Sequence, residues 1–379
     1  MIYLDYNATS PIHPEVHTAM APFLEEAFGN ASSAHAKGRQ ARGAIESVRS
    51  KVLRALGDPR GQLVFTSGGT EADNLALKGV TRALKGKGSH LIVSTIEHHA
   101  VLHTAEALAT DGIRVTFVPV NQQGLVDLQA LERAVCSETV LISVMHANNE
   151  VGTVQPIEEI SRIAKGHGVL FHTDAVQSFG KWPVDVRAMG VDCASVSGHK
   201  LGGVKGVGAL YLREGIKIQP FLHGGPHERN LRAGTENVPG IVGMGAAVDV
   251  SLRHQQNGTL ARVKQLRDWL EEGLVERISN MEVNGHPTQR LPGTLNVSFH
   301  GCQGETLLMA LDLAGIYVST GSACSSGSTE PSHVLVAMGL PAPSIEGSIR
   351  FSLGWGTTEE EIRECLEKIP PIVERIRRC

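Results

Sequence analysis

Nothing in this 379-residue chain marks a disulfide scaffold, a metal ribbon or a membrane span. Its six cysteines (Cys136, Cys193, Cys302, Cys324, Cys365 and Cys379) are scattered, without a C-x-x-C pair or metal-ligand spacing. That pattern argues against a stapled secreted fold and for a reducing compartment. No apolar run approaches spanning length, and the opening MIYLDYNATSP has neither a basic n-region nor an apolar h-region. The expectation is a cytoplasmic protein with no membrane partner. Charge of one sign is also missing: 35 Lys and Arg stand against 39 Asp and Glu. Nucleic acid is therefore not expected as a partner. Internal repeats and low-complexity segments are absent, and so is the GxxxxGK[ST] order of a phosphate loop, which leaves a nucleotide-binding module the weakest option.

What is present is glycine, 42 residues of it, many clustered as tight turns and close backbone approaches require. The length exceeds one ordinary core and predicts two domains. Between about 40 and 215, the runs LIVST (91–95), VTFVP (115–119), VLISVM (140–145), VLFHTD (169–174) and VGALYL (207–212) read as buried strands. Helical periods alternate with them; Ala41, Ile45, Val48, Val52 and Leu56 trace one face that Gly57 ends. Alternating β and α predicts an α/β fold with a mostly parallel sheet covered on both faces. After about 250 the pattern becomes a smaller α+β unit. The expected boundaries are a large domain over 13–250, and a small one from 1–12 with 251–379.

The stretch SVSGHKLGGVKGVG (195–208) follows a strand and carries Lys200 in a glycine-rich turn. A single loop lysine is most often merely solvated; the other reading is a Schiff-base lysine, which must lose its proton near a carbonyl. Its company changes the odds. Asp174 ends the strand VLFHTD, and in open α/β sheets ligands bind at the strands' carboxyl ends. A carboxylate there is either a helix cap or the group that keeps a pyridine nitrogen protonated for pyridoxal phosphate. FTSGGTEADN (65–74) runs from strand into helix, with glycines and Thr70 at the turn, and suits either a capped helix or a phosphate. Glu97-His98-His99 follows LIVST; zinc there would need a third ligand that the sequence does not place, and no metal is expected.

Taken in order, ten segments closely resemble the cysteine desulfurases of the NifS/IscS type, pyridoxal-phosphate enzymes of the aspartate aminotransferase fold. They are YLDYNATSP (3–11), GNASSAHAKGR (29–39), FTSGGTEADNLALKG (65–79), IEHHAVL (96–102), MHANNEVGTVQ (145–155), FHTDAVQSFGK (171–181), SVSGHK (195–200), HGGPHERNLRAGTENV (223–238), STGSACSSG (319–327) and SIRFSLG (348–354). The resemblance implies a fold-type I enzyme with pyridoxal 5′-phosphate on Lys200, which later moves the substrate Cα proton. Asp174 would pair with the ring nitrogen, Gln177 and Asn149 with the phenolic oxygen, and His98 would stack on the ring and serve as an acid or base. Thr70, the Gly69 amide, Ser197 and His199 would hold the phosphate, and Thr235 would reach the phosphate of a partner subunit in a homodimer. Arg350 would fork the substrate carboxylate, and Asn7, Ala8, Thr9 and Asn30 would line the substrate pocket. Val204 replaces a common proline after the lysine segment, and Pro226 and Asn230 stand at glycine positions. The chain ends soon after its last helix, so the tail by which some members dock a scaffold is expected to be short or missing.

The activity implied is conversion of L-cysteine to L-alanine, with a persulfide left for a sulfur-acceptor protein in iron–sulfur assembly or related traffic. Selenocysteine lyase, aminotransferase, kynureninase relative and an idle interaction subunit are the competing readings. Cys324 and Lys200 argue against them. The nucleophile must be an accessible thiolate, its pKa brought down from ~8.5 or a base beside it. Cys324, in the SACSSG of the longer-loop subgroup, suits this and is expected on a mobile loop. The other five cysteines are read as structural.

Overall fold

The computed structural model describes residues 1–321 and 330–378. A seven-stranded sheet forms its centre, in the order Gln62–Thr66, Gly208–Leu212, Cys193–Ser197, Leu170–Asp174, Thr139–Ser143, His90–Ser94, Arg114–Val118. Six strands point one way, and Gly208–Leu212 runs antiparallel to both neighbours. The period-2 alternation of a strand sorts residues to two faces. Ile92, Ile142, Phe171 and Val196 join one core with Val48, Val52 and Met244, while Leu91, Val93, Leu141 and Cys193 join another with Leu75, Leu77 and Val101. Helices cover both sides, as a parallel sheet with two apolar faces requires.

Two expectations change. VTFVP is the edge strand Arg114–Val118, buried only at Val118, because nothing pairs with its outer side. VGALYL is a true buried strand, but it is the reversed one.

A three-stranded antiparallel sheet, ordered Ser348–Ser352, Thr294–Phe299, Met281–Asn284, carries a separate core. There Leu266 and Leu270 of helix Thr259–Arg277 pack with Val297, Phe299, Phe351, Ile362 and Leu366. Ile2 and Leu4 belong to this core, and Ile2–Tyr3 pairs in parallel with Ile316–Tyr317. Helix Glu359–Arg377 opens on a capping box, Thr358 with Glu361, and continues through Pro370 and Pro371. Among the described residues no helix is long and apolar enough to cross a membrane.

Candidate active site

Five strand ends deliver the site, and each is a carboxyl end. Thr66 leads to Gly69 and Thr70, Ser94 to His98, Ser143 to Asn149, Asp174 is itself a terminus, and Ser197 leads to Lys200. They meet in a cavity of about 310 Å³ whose wall includes Asn7, Ala8, Gly69, Thr70, His98, Asn149, Asp174, Gln177, Ser197, His199, Lys200 and Arg350. Twelve of the residues expected from sequence thus share one pocket. Thr9 stands behind it, its Oγ1 3.2 Å from His199 Nδ1. Asn30 lies on an exposed turn and accepts from the Ser32 amide at 2.8 Å. Thr235 is exposed in a separate surface depression with Ser67, Gly206 and Arg232. Cys324, with its expected loop mobility, and Cys379 lie outside the described residues.

The Lys200 ammonium donates to the carbonyl oxygens of Asn7 and of Ala8, the latter at 2.8 Å. Gln177 Nε2 donates to the same Asn7 oxygen at 3.0 Å. His98 caps helix His99–Thr110, its Nδ1 accepting from the Ala100 amide at 3.1 Å. That bond leaves Nε2 as the nitrogen that carries the proton of the neutral ring. Burial, then the Lys200 charge, pulls the His98 pKa down to about 4. Asp174 accepts from the Val176 amide at 2.8 Å; burial raises its pKa to about 6, against the pull of Lys200.

Helix Gly69–Ala83 begins with no side-chain cap, and its first residues, Gly69 and Thr70, line the cavity. Beside them the Ser197 hydroxyl is buried without a partner. A Cβ on Gly69 would stand 2.7 Å from Val176 Cγ2, so only glycine lets the helix start this close to the Asp174 turn. Across the pocket Arg350 is 1% exposed. Its Nη2 pairs with Asp5 at 2.7 Å, Nη1 donates to the Asn149 carbonyl at 3.1 Å, and Nε is buried with no partner.

Sequence reasoning gave no role to three ionisable groups here, of which Asp73 and Glu97 are buried and Lys181 is half-buried. Asp73 sits under Asp174 with Oδ1 3.7 Å from His172 Nε2, and burial with the Asp174 charge holds its pKa well up. Glu97, fully buried, accepts from Ser94 Oγ and the Met145 amide and is raised to about 8 by burial. Lys181 reaches Gln177 Oε1 at 3.3 Å and is lowered to about 7, chiefly by burial. Only their place beside the strand-end motifs could have flagged them. Cys136, expected to be structural, is partly exposed and receives an Arg114 Nη2 hydrogen bond at 2.7 Å. Cys193, Cys302 and Cys365 are buried.

Lysine, aspartate and a phosphate-type helix start at the carboxyl ends of a mostly parallel sheet define a class. The chain belongs to the class-V aminotransferase family, whose sequence model matches residues 2–365. It is 50% identical over 376 residues to cysteine desulfurase IscS of Dictyoglomus turgidum, spanning 99% of this chain and 95% of that protein. Among solved structures it superposes on a NifS-like protein with a TM-score of 0.92 at 40% identity, covering 99% of both chains. It also matches SspA in complex with cysteine, with a TM-score of 0.82 at 36% identity, over 94% of this chain and all of that one.

Proposed function

We propose that this chain is a cysteine desulfurase that converts L-cysteine to L-alanine and keeps the sulfur as a persulfide on Cys324. The observation that carries the reading is Lys200 in one buried cavity with His98, Asp174 and Arg350. The cavity also suits pyridoxal 5′-phosphate. The uncapped start of helix Gly69–Ala83 and the Ser197 hydroxyl, unpartnered among the described residues, are what a phosphate needs, and Asp174 is a buried carboxylate at the end of its strand. Gly69, Thr70, Ser197 and His199 would take the phosphate, Gln177 and Asn149 the phenolic oxygen, and Lys200 the carbonyl. When bound, the cofactor supplies an electron sink for a carbanion at the substrate Cα.

The chain's own residues do the rest. Arg350 takes the substrate carboxylate in a fork from Nε, unpartnered among the described residues, and an adjacent Nη, a grip that lysine would not reproduce. Lys200 removes the Cα proton and later returns it. His98, neutral at pH 7, offers an Nε2–H to the substrate's departing atoms. The Cys324 thiolate attacks the substrate sulfur: the Cβ–S bond breaks with its electron pair going to carbon, and an Sγ–S bond forms. Cβ gains the proton that the thiol gave up, so one cysteine and one enzyme thiol become alanine and a persulfide. An acceptor protein of iron–sulfur assembly or related sulfur traffic then takes that sulfur. The reading includes a homodimer in the cytoplasm, Thr235 reaching its neighbour's phosphate, and the division into 13–250 and 1–12 with 251–379.

Cys324→Ala should keep the visible absorption of bound cofactor while alanine formation falls more than about 100-fold. Lys200→Ala should lose the wild-type absorption band. Alanine at the wild-type rate from Cys324→Ala would sink the persulfide assignment, and selenocysteine cleaved in its place would favour a lyase.

A further inference from the structure

Glu150 is 2% exposed and follows Asn149, the residue whose carbonyl holds Arg350. Its backbone is fixed: Asn148 Oδ1 accepts from the Glu150 and Val151 amides at 2.8 and 3.0 Å. Its carboxylate accepts a hydrogen bond from the downstream flank of the segment that carries Cys324 and lies against the upstream flank at Gly321. On the downstream flank, Ser332 Oγ donates to Glu150 Oε2 at 2.5 Å, and the same hydroxyl accepts from the Leu335 amide at 3.2 Å. On the upstream flank, Ser319 and Arg350 exchange backbone hydrogen bonds at 3.2 and 2.7 Å. Two residues on, a Cβ at Gly321 would stand 2.3 Å from Glu150 Oε2 and 3.1 Å from Ser332 Cβ. Any residue but glycine would push that carboxylate aside. His333 adds a second downstream anchor, its Nε2 3.0 Å from the Glu97 carbonyl.

We infer that Glu150 is a positioning residue: its carboxylate anchors the downstream flank of the Cys324 segment through Ser332 and lies against Gly321 of the upstream flank, which holds the two flanks together beside the Arg350 pocket. This rests on the desulfurase reading. Arg350 holds the substrate carboxylate one residue away from the point where Glu150 holds the flanks, so substrate and nucleophile share a common frame. Misplacing either by about an ångström costs rate rather than affinity, up to about 100-fold.

The test compares holoenzyme variants in two independent readouts. Amide hydrogen exchange, without substrate, follows Leu335, whose amide bonds to the Ser332 hydroxyl that Glu150 holds. Steady-state kinetics follow alanine formed from L-cysteine. Glu150→Ala should speed exchange at that amide and lower kcat about tenfold or more, with KM within about threefold and the cofactor absorption unchanged. Glu150→Gln, which keeps an oxygen acceptor for Ser332, should stay within about threefold of wild type in both readouts. Gly321→Ala should reproduce the Glu150→Ala pattern from the other side, and it serves in its place if that variant does not fold. Unchanged exchange and kcat in Glu150→Ala, a rise confined to KM, or a Glu150→Gln as impaired as Glu150→Ala would overturn the assignment. A wild-type enzyme that forms no alanine would remove the desulfurase reading, and the exchange comparison would then decide the tether alone.

Discussion

At the scale of single residues, burial governs the site's protons. His98 and His146 are lowered to about 4 and His172 and His199 to about 3, in each case first by desolvation. Below pH ~6.5 the unfolded chain binds protons that these folded rings refuse, so stability falls as pH drops toward 4. Glu97 and Glu150 act with the opposite sign, raised by burial to about 8 and about 7. The folded state keeps their protons after the unfolded chain has released them, so their contribution declines as pH rises through 8. Between pH 6.5 and 8 the two signs oppose each other, because Lys181, lowered to about 7 chiefly by burial, sheds a proton that the unfolded chain keeps, and the last unfolded histidines are still releasing theirs. The glutamate share is read by difference. On going from pH 6.5 to pH 8, Glu97→Gln, with nothing to titrate, should gain Tm relative to wild type; a wild-type and a variant Tm that move in parallel would refute the account. Lys200, Asp174 and Thr70 were legible in the sequence because strand-end position and residue type together name their chemistry. Glu97, Glu150, Asp73 and Lys181 were not. A lone charge in a sequence looks solvated, and only tertiary packing takes the water away.

At the scale of elements, the reversed strand Gly208–Leu212 ties the lysine turn to the phosphate-type helix start. It pairs with Cys193–Ser197 on one side and Gln62–Thr66 on the other. Gly208 lies against the turn itself: a Cβ there would stand 2.6 Å from the Gly68 carbonyl carbon and 2.8 Å from the Val196 oxygen. Both neighbours are backbone and have no rotamer to yield. Gly208→Ala should displace the Gly68–Gly69 turn and weaken retention of added pyridoxal phosphate at least about tenfold, read by equilibrium dialysis, with the far-ultraviolet circular dichroism unchanged. Retention equal to wild type would show the turn free to move. The strand's existence was legible from VGALYL, whereas its direction was not, because hydrophobic runs carry no sense. Helix Glu359–Arg377 offers a similar lesson. Ile362, Leu366 and Ile369 announce its buried face, and Ile372 and Val373, packed in the small core, carry the helix on past Pro370 and Pro371.

Across the whole molecule, the exposed place of Thr235, apart from the cavity of its own chain, fits its proposed reach toward a second subunit. Sedimentation should give twice the mass of one chain. Thr235→Ala should leave that mass unchanged while cofactor affinity drops roughly tenfold, the worth of one hydrogen bond to a charged oxygen. A monomer, or a variant dimer that keeps full affinity, would count against the exchange. The change of pattern near 250 was legible, and the residues after it build the three-stranded sheet and its separate core. The parallel pairing of Ile2–Tyr3 with Ile316–Tyr317 was not, since two residues of strand carry no period.

The pairing of Asp5 with Arg350 spans 345 positions of sequence. Lys200, Asp174, Thr70 and their sheet are all translated before Thr294, whereas Arg350 waits for the strand Ser348–Ser352. On the ribosome, then, the two halves of the pocket are born at different times. A nascent chain can acquire the groups proposed to hold a cofactor well before the one proposed to hold an amino acid, and Asp5 must wait 345 positions for its partner.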